Sequence, residues 1–324
     1  MKIPNSIPDS QPTFLFKNDS SWEQEKLVSL NESCCLLDIQ AVDKMVSVWK
    51  DHLPQVEMFH KVKSNSDPRL LSDLFDMGVR FQLTTKKDFF VLESAGISAS
   101  DSILINSAKM NSLIKEAKKA HVPFLSFDCE NELIKIAEFH PDAELLLDLS
   151  SFKFPEGEYY DLAESCEKIL ELGKSCGHVM KLLHLGSIVC DRPQVFKHFS
   201  AALSKILDNR FMNYRITANT TEFHFGEPLS ILTHVMSTEK SLDGTIRAQV
   251  DAKLNSFSTE ASPTVITKSA NRRSYPINFH GADHVISSEL FPEVYPGDLL
   301  LWNLSELQWS SKFPLHYLND KKMN

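Results

Sequence analysis

Lys63 is the side chain with the clearest chemical use in this sequence. It lies in the run Phe59, His60, Lys61, Val62, Lys63, Ser64, Asn65, where an apolar strand should end. A lysine at the C-terminal end of a barrel strand has its backbone fixed by the sheet and open space before its amine. Such an amine can condense with a carbonyl to form a Schiff base.

Other groups carry weaker chemistry. His280 and His284 have the i, i+4 spacing of a helical metal pair with Asp283 between them, but Gly281 argues for a loop. No metal is therefore expected there. Gly173, Lys174 and Ser175 end like a phosphate loop, yet Lys168 stands where its first glycine should be, and a helix C-cap accounts for them better. No G-x-S-x-G run supports a serine hydrolase. Lys109, Lys115, Lys118 and Lys119 form a basic cluster on an expected helix from Lys109 to Ala120. The last three share a face, with Leu113, Ile114 and Ala117 packing behind. Most such clusters are simply solvated, but on a chain of net charge −9 this one can steer an acidic partner.

These residues need elements to hold them. Short apolar runs at Cys34 to Ile39, Glu57 to Val62, Val79 to Leu83, Ile103 to Asn106, Phe124 to Phe127, Glu144 to Leu149 and Val179 to Leu185 read as strands. Amphipathic stretches lie between them, at Ala41 to His52, Asp67 to Met77, Lys86 to Ser94, Lys109 to Ala120, Glu130 to Phe139, Glu158 to Ser175 and Arg192 to Leu207. This alternation predicts an α/β fold, a (β/α) TIM-like barrel rather than an open doubly wound sheet, because no dinucleotide fingerprint accompanies it. Beyond about Arg210 the runs turn short and β-leaning, at Tyr214 to Ala218, Gly244 to Val250, Pro263 to Thr267 and Leu299 to Asn303. A C-terminal antiparallel β domain follows from that change. The expected division is a flexible segment over 1–33, the barrel over 34–210 and the β domain over 211–324.

Composition narrows the function. Hydrophobic residues make up 42% of the 324, as in a globular protein. The net charge of −9 argues against a nucleic-acid partner. No run is apolar enough to span a membrane, and Met1 to Phe16 has no apolar signal core. The six cysteines, Cys34, Cys35, Cys129, Cys166, Cys176 and Cys190, form no C-x-x-C and read as reduced thiols in a cytoplasmic protein. Only 10 glycines occur, never two within three residues, against roughly 23 expected at the average of about 7%. Clustered glycines build phosphate cradles, and this chain lacks the clusters.

Four segments in order carry a family resemblance. Val62, Lys63 and Asn65 resemble the A-V-K-C-N signature of the eukaryotic ornithine decarboxylases. Ser126, Phe127 and Asp128, with Glu132, Leu133 and Lys135, resemble T-F-D-S-E-x-E-L-x-K. Leu183 to Ser187 is similar to F-H-V-G-S, and Phe291 to Asp298 to L-P-E-M-x-x-G-D. The resemblance implies that Lys63 stands at the pyridoxal phosphate lysine, His184 at the ring-stacking histidine and Ser187 at a phosphate contact. It also implies losses. Gln82 replaces an aspartate, Asp148 an arginine and Gln308 a tyrosine near the cofactor. The D-I-G-G-G-F and E-P-G-R segments are missing, and with the second goes the acidic partner of the pyridinium nitrogen. In the C-D-G-L-D register Phe279 replaces the thiol and His280 the carboxylate, leaving Asp283 as a remnant.

The resemblance therefore implies a pseudoenzyme similar to the antizyme inhibitors, with pyridoxal phosphate binding lost and Lys63, His184, Ser187 and Asp283 vestigial. Its partner would be antizyme, docked through Lys109, Lys115, Lys118 and Lys119. Two rivals remain: an inactive subunit dimerising with an active decarboxylase, and a residual pyridoxal phosphate decarboxylase. Family strands are deleted between Phe196 and Gly244, so an incomplete barrel is one expected outcome. A long C-terminal extension like that of vertebrate decarboxylases is not expected.

Overall fold

The computed structural model describes residues 33–127, 130–148, 180–188, 193–225, 229–252, 263–266, 272–282, 285–303 and 315–318. It divides into two compact units, the first containing Asp43–His224 and the second Asn5–Val42 with Phe225–Asn324. The expected helix at Glu158 to Ser175 lies outside the described residues.

The first unit is a closed parallel barrel. Its strands are β2 (Val56–Lys61), β3 (Arg80–Leu83), β4 (Ile103–Leu104), β5 (Phe124–Phe127), β6 (Glu144–Asp148), β7 (Met180–Ser187) and β8 (Arg215–Asn219). Helices α2 (Pro68–Asp76), α3 (Lys86–Ser94), α4 (Asn111–Lys119), α5 (Glu130–Phe139), α6 (Pro193–Arg210) and the short α7 (Thr221–Phe225) alternate with them; α1 (Ile39–His52) precedes. Local signals start these helices where the chain must turn. Asp67 accepts from the amides of Arg69 and Leu70 ahead of α2, with Pro68 in its first turn. Asp88 accepts from Thr84 and Thr85 amides at 2.7 and 2.9 Å to open α3.

Closure corrects the expectation of an incomplete barrel. β8 pairs with β7 on one side and with β2 on the other, Val56 facing Ile216 and Phe59 facing Asn219. The run at Tyr214 to Ala218, read as part of the β domain, is this closing strand, so that boundary moves past 210 to His224. Phe59, Ile103, Phe124, Leu146 and Leu182, from five different strands, meet in one cluster with Ile105 against it. Side chains from so many strands touch only by pointing inward, and they fill the lumen. A second apolar cluster lies among the helices, where Trp49 of α1 stacks on Phe196 of α6 at 5.3 Å and meets Phe223 of α7 edge-on at 5.1 Å.

The second unit is a mainly antiparallel sheet in the order β11-β14-β9-β10-β12-β13. It is built from β9 (Leu229–Lys240), β10 (Ile246–Val250), β11 (Thr264–Ile266), β12 (Ser274–His280), β13 (Val285–Pro292) and β14 (Leu299–Asn303). β1 (Cys34–Asp38) pairs antiparallel with β9 and parallel with β15 (Leu315–Leu318). This corrects the assignment of Cys34 to Ile39 to the barrel. Cys34 and Leu36 pack against Leu232, Leu299 and Leu301, so its apolar run serves the sheet's core. The expected architecture of barrel followed by antiparallel sheet is otherwise what the structure shows.

Candidate functional site

Strand alternation fixes which residues face the lumen at its C-terminal end. From the inward layer of Phe59, Ile103, Phe124, Leu146 and Leu182, a step of two residues reaches Lys61, Ile105, Ser126, Asp148 and His184. Gln82 is paired with Lys61 on one side and Ile103 on the other, and shares their face.

Lys63 is not part of that wall. β2 ends at Lys61, the chain turns where the Ser64 amide donates to the Lys61 carbonyl at 2.8 Å, and Lys63 is exposed on the turn. The strand expected to reach Val62 ends at Lys61, although the Val62 amide still donates to the Gln82 carbonyl of β3 at 3.2 Å. The turn is tied down from behind. His60, fully buried, bonds the Asn65 carbonyl at 3.0 Å, so Nε2 carries the proton. Burial lowers its pKa to about 4 despite that carbonyl's opposing pull, and it is neutral.

His184 is pinned as well. Its Nδ1 donates to Thr217 Oγ1 at 2.9 Å, and that hydroxyl donates to the Leu183 carbonyl at 3.4 Å. Burial lowers the imidazole pKa to about 4, against the Asp148 carboxylate that raises it. Ser187 Oγ accepts from Asn219 Nδ2 at 2.8 Å, and Asn219 Oδ1 accepts from the Thr221 hydroxyl at 2.7 Å and amide at 3.1 Å. The serine expected at a phosphate is already engaged in joining β7 to β8. Asp283, His284, Gly173, Lys174, Ser175 and Gln308 lie outside the described residues. His280 ends β12 rather than lying in a loop.

Phe279, which the resemblance sets at the family's thiol, is wholly buried, edge-on to Phe291 at 5.0 Å and to Trp302 at 5.5 Å.

The basic cluster divides in two. Lys115, Lys118 and Lys119 are exposed on α4, Lys115 lying 4.7 Å from the Phe139 ring and Lys119 3.8 Å from Glu116. Lys109 is not on the helix or the surface, which corrects its place among the partner-binding lysines. Only 2% exposed, it donates to the Asn106 carbonyl at 2.7 Å and pairs with Glu132 at 2.9 Å. Lys135 also pairs with Glu132 and donates to the Lys109 carbonyl at 2.8 Å. Burial pushes the Glu132 carboxyl upward, but hydrogen bonds from Lys135 and Lys109 outweigh it and the pKa falls. Glu132 and Lys135 were legible as family residues; their use, to bury a third charge, was not.

Comparison with known proteins fits this geometry. Residues 39–159 match the pyridoxal-binding domain of the pyridoxal-dependent decarboxylases. An ornithine decarboxylase of Caenorhabditis elegans is 34% identical over 117 residues, 36% of this chain and 28% of that one. Human antizyme inhibitor 2 is 30% identical over 222 residues, 66% of this chain and 44% of that one. Rat antizyme inhibitor 1 is 30% identical over 167 residues, 50% and 37% of the two chains. The chain spans less than half the length of these relatives. Among solved structures, ornithine decarboxylase from Entamoeba histolytica superposes with a TM-score of 0.77 at 19% identity, covering 93% of this chain and 100% of that one. Lysine/ornithine decarboxylase from Vibrio vulnificus gives 0.77 at 20%, covering 92% and 98%. At such identities the structures speak for the fold.

At the three positions that the resemblance gives to pyridoxal phosphate, Lys63 lies exposed on the turn after β2, Ser187 Oγ accepts from Asn219, and His184 is tied to Thr217 on the neighbouring strand. A phosphate dianion buried without an amide cradle costs several kcal/mol. A barrel closed by seven strands is also roughly an eighth narrower than one of eight, since diameter grows about linearly with strand number.

Proposed function

We propose that this member of the ornithine decarboxylase family has no decarboxylase chemistry and acts by binding antizyme, sparing active decarboxylase and so raising polyamine synthesis. One observation carries the binding half: Lys115, Lys118 and Lys119 stand exposed together on α4 of an acidic chain, backed by buried Leu113, Ile114 and Ala117. A rigid helix presenting three cations suits an acidic-faced regulator, both in steering its approach and in selecting it. Phe279 in its aromatic cage and Lys63 on its turn support the loss of chemistry.

The test has two arms. Immobilised antizyme should retain the purified chain, and the triple variant Lys115→Glu, Lys118→Glu, Lys119→Glu should bind at least about tenfold more weakly, about 1.4 kcal/mol, with its melting curve unchanged. Pyridoxal phosphate should give no aldimine absorbance that Lys63→Ala removes, and ornithine, arginine and lysine should release no carbon dioxide. Antizyme binding that survives the three charge reversals defeats the docking face; turnover dependent on Lys63 defeats the pseudoenzyme.

A further inference from the structure

Lys115 and Lys119, both exposed on α4, are held in different ways. Lys119 lies 3.8 Å from Glu116 on its own helix and is 81% exposed, so water screens the pair. Lys115 reaches a second helix, with its Nζ 4.7 Å from the centre of the half-buried Phe139 ring at the end of α5. The two helices are tied to each other at both ends. Ahead of α4, Lys109 pairs with Glu132 of α5, and its carbonyl accepts from Lys135. Just past α4, the Val122 carbonyl accepts from Nε2 of His140 at 3.0 Å, while the His140 amide closes α5 on the Ile136 carbonyl at 2.8 Å. Burial lowers the pKa of that imidazole against the pull of the carbonyl, and it is neutral with its proton on Nε2. Phe139, the neighbour of His140, is therefore fixed with respect to Lys115.

A lysine that joins a partner's carboxylate loses rotamer freedom along its stem, and that loss weakens the pair. A ring that already holds the ammonium removes part of the loss before the partner arrives. The partner still finds donors, since an ammonium over a ring keeps N–H groups directed away from it. The contact also gains strength on docking, because a cation–π pair shielded from water is worth more than an exposed one. A carboxylate arriving at Lys119 competes with Glu116 instead.

We propose that Phe139 is a positioning residue of the docking face: it holds Lys115 as the anchor for a carboxylate of the acidic partner, so that recognition spans α4 and α5. This rests on the docking reading above and adds to it a ranking of the lysines and a contributor that carries no charge.

Binding of the full chain to immobilised antizyme is the measurement. Lys115→Gln should weaken it about fivefold and Lys119→Gln about twofold. Phe139→Leu, which keeps an apolar side chain but removes the ring, should cost about threefold, the worth of an exposed cation–π contact. Phe139→Trp, a better platform for a cation, should tighten binding about twofold. The coupling decides: in the Lys115→Gln background Phe139→Leu should change nothing further, whereas a merely structural ring would cost the same in both. An equal loss in the two backgrounds, or no loss in either, overturns the proposal. Should Phe139→Leu not fold, Phe139→Trp is read in both backgrounds, and a gain that fails to appear or that persists without Lys115 is equally fatal. A parent chain that does not bind antizyme defeats the docking reading and this inference with it; binding that ignores Phe139 defeats this inference alone.

Discussion

Lys109 and Glu132 meet at 2.9 Å with both side chains almost fully out of water, one just before α4 and the other on α5. Lys135 closes the other side of the carboxylate. The network fixes the start of the helix whose exposed face carries the other lysines. Removing its buried cation leaves Glu132 with one partner on a partly exposed side chain. Lys109→Met should therefore destabilise the chain by about 3 kcal/mol, the lower end for a broken buried pair because Lys135 remains. Urea unfolding measures this, and a loss under about 1 kcal/mol would make the pair ornamental.

A thiol introduced at position 279 should not confer decarboxylase chemistry. Phe279 fills the space between Phe291 and Trp302. Phe279→Cys replaces a ring by a small side chain and opens a cavity, costing about 3 kcal/mol. Decarboxylase assays should stay at background while the thermal midpoint falls. Activity gained with little loss of stability would show that the position faces a working pocket.

Legibility followed the reach of the signal. Seven strand-helix alternations are a local pattern, and six of the seven strand runs named in the barrel stretch stand in it, because burial on both faces demands continuous apolar residues. Cys34 to Ile39 carries the same signal, yet its partners are Leu229 to Leu232, some two hundred positions away. Nothing in so short an apolar run names its sheet. Tyr214 to Ala218 erred in the opposite direction, since the change of texture beyond Arg210 precedes the last barrel strand. Lys109 failed for a related reason: it was read as part of the helix and its basic cluster, but a distant glutamate decided its burial. The exposed trio needed no such partner and was readable from spacing alone.

Barrel closure on β2 and β8 can be tested directly. The Thr220 amide donates to the Phe59 carbonyl at 2.9 Å, and the Val56 to Phe59 ladder faces Ile216 to Asn219. Amides along this seam should exchange with deuterium about as slowly as those of β5 and β6, at the free energy of global unfolding. Exchange faster by about a hundredfold, or about 2.7 kcal/mol, would mean that the barrel opens there.

Acid should unfold this protein earlier than its carboxylates alone require. His60 and His184 are buried and neutral, each with a pKa near 4 against the ordinary 6.5, and burial also lowers His224 well below its ordinary value. Below pH 6.5 the unfolded chain takes up these protons and the folded chain does not. Stability present at neutral pH is therefore lost as the pH falls from about 6.5 toward 4, by about 1.4 kcal/mol per unit for each fully responding histidine. Glu132 acts in the same direction at lower pH, because its depressed pKa contributes stability above the unfolded value and loses it on protonation. His184→Gln keeps a donor for Thr217 without a titrating ring, so its stability between pH 6.5 and 4 should fall less steeply than that of the parent. Chemical denaturation across that window gives both slopes. If they coincide, His184 takes up its proton in the folded barrel and is not shielded by it.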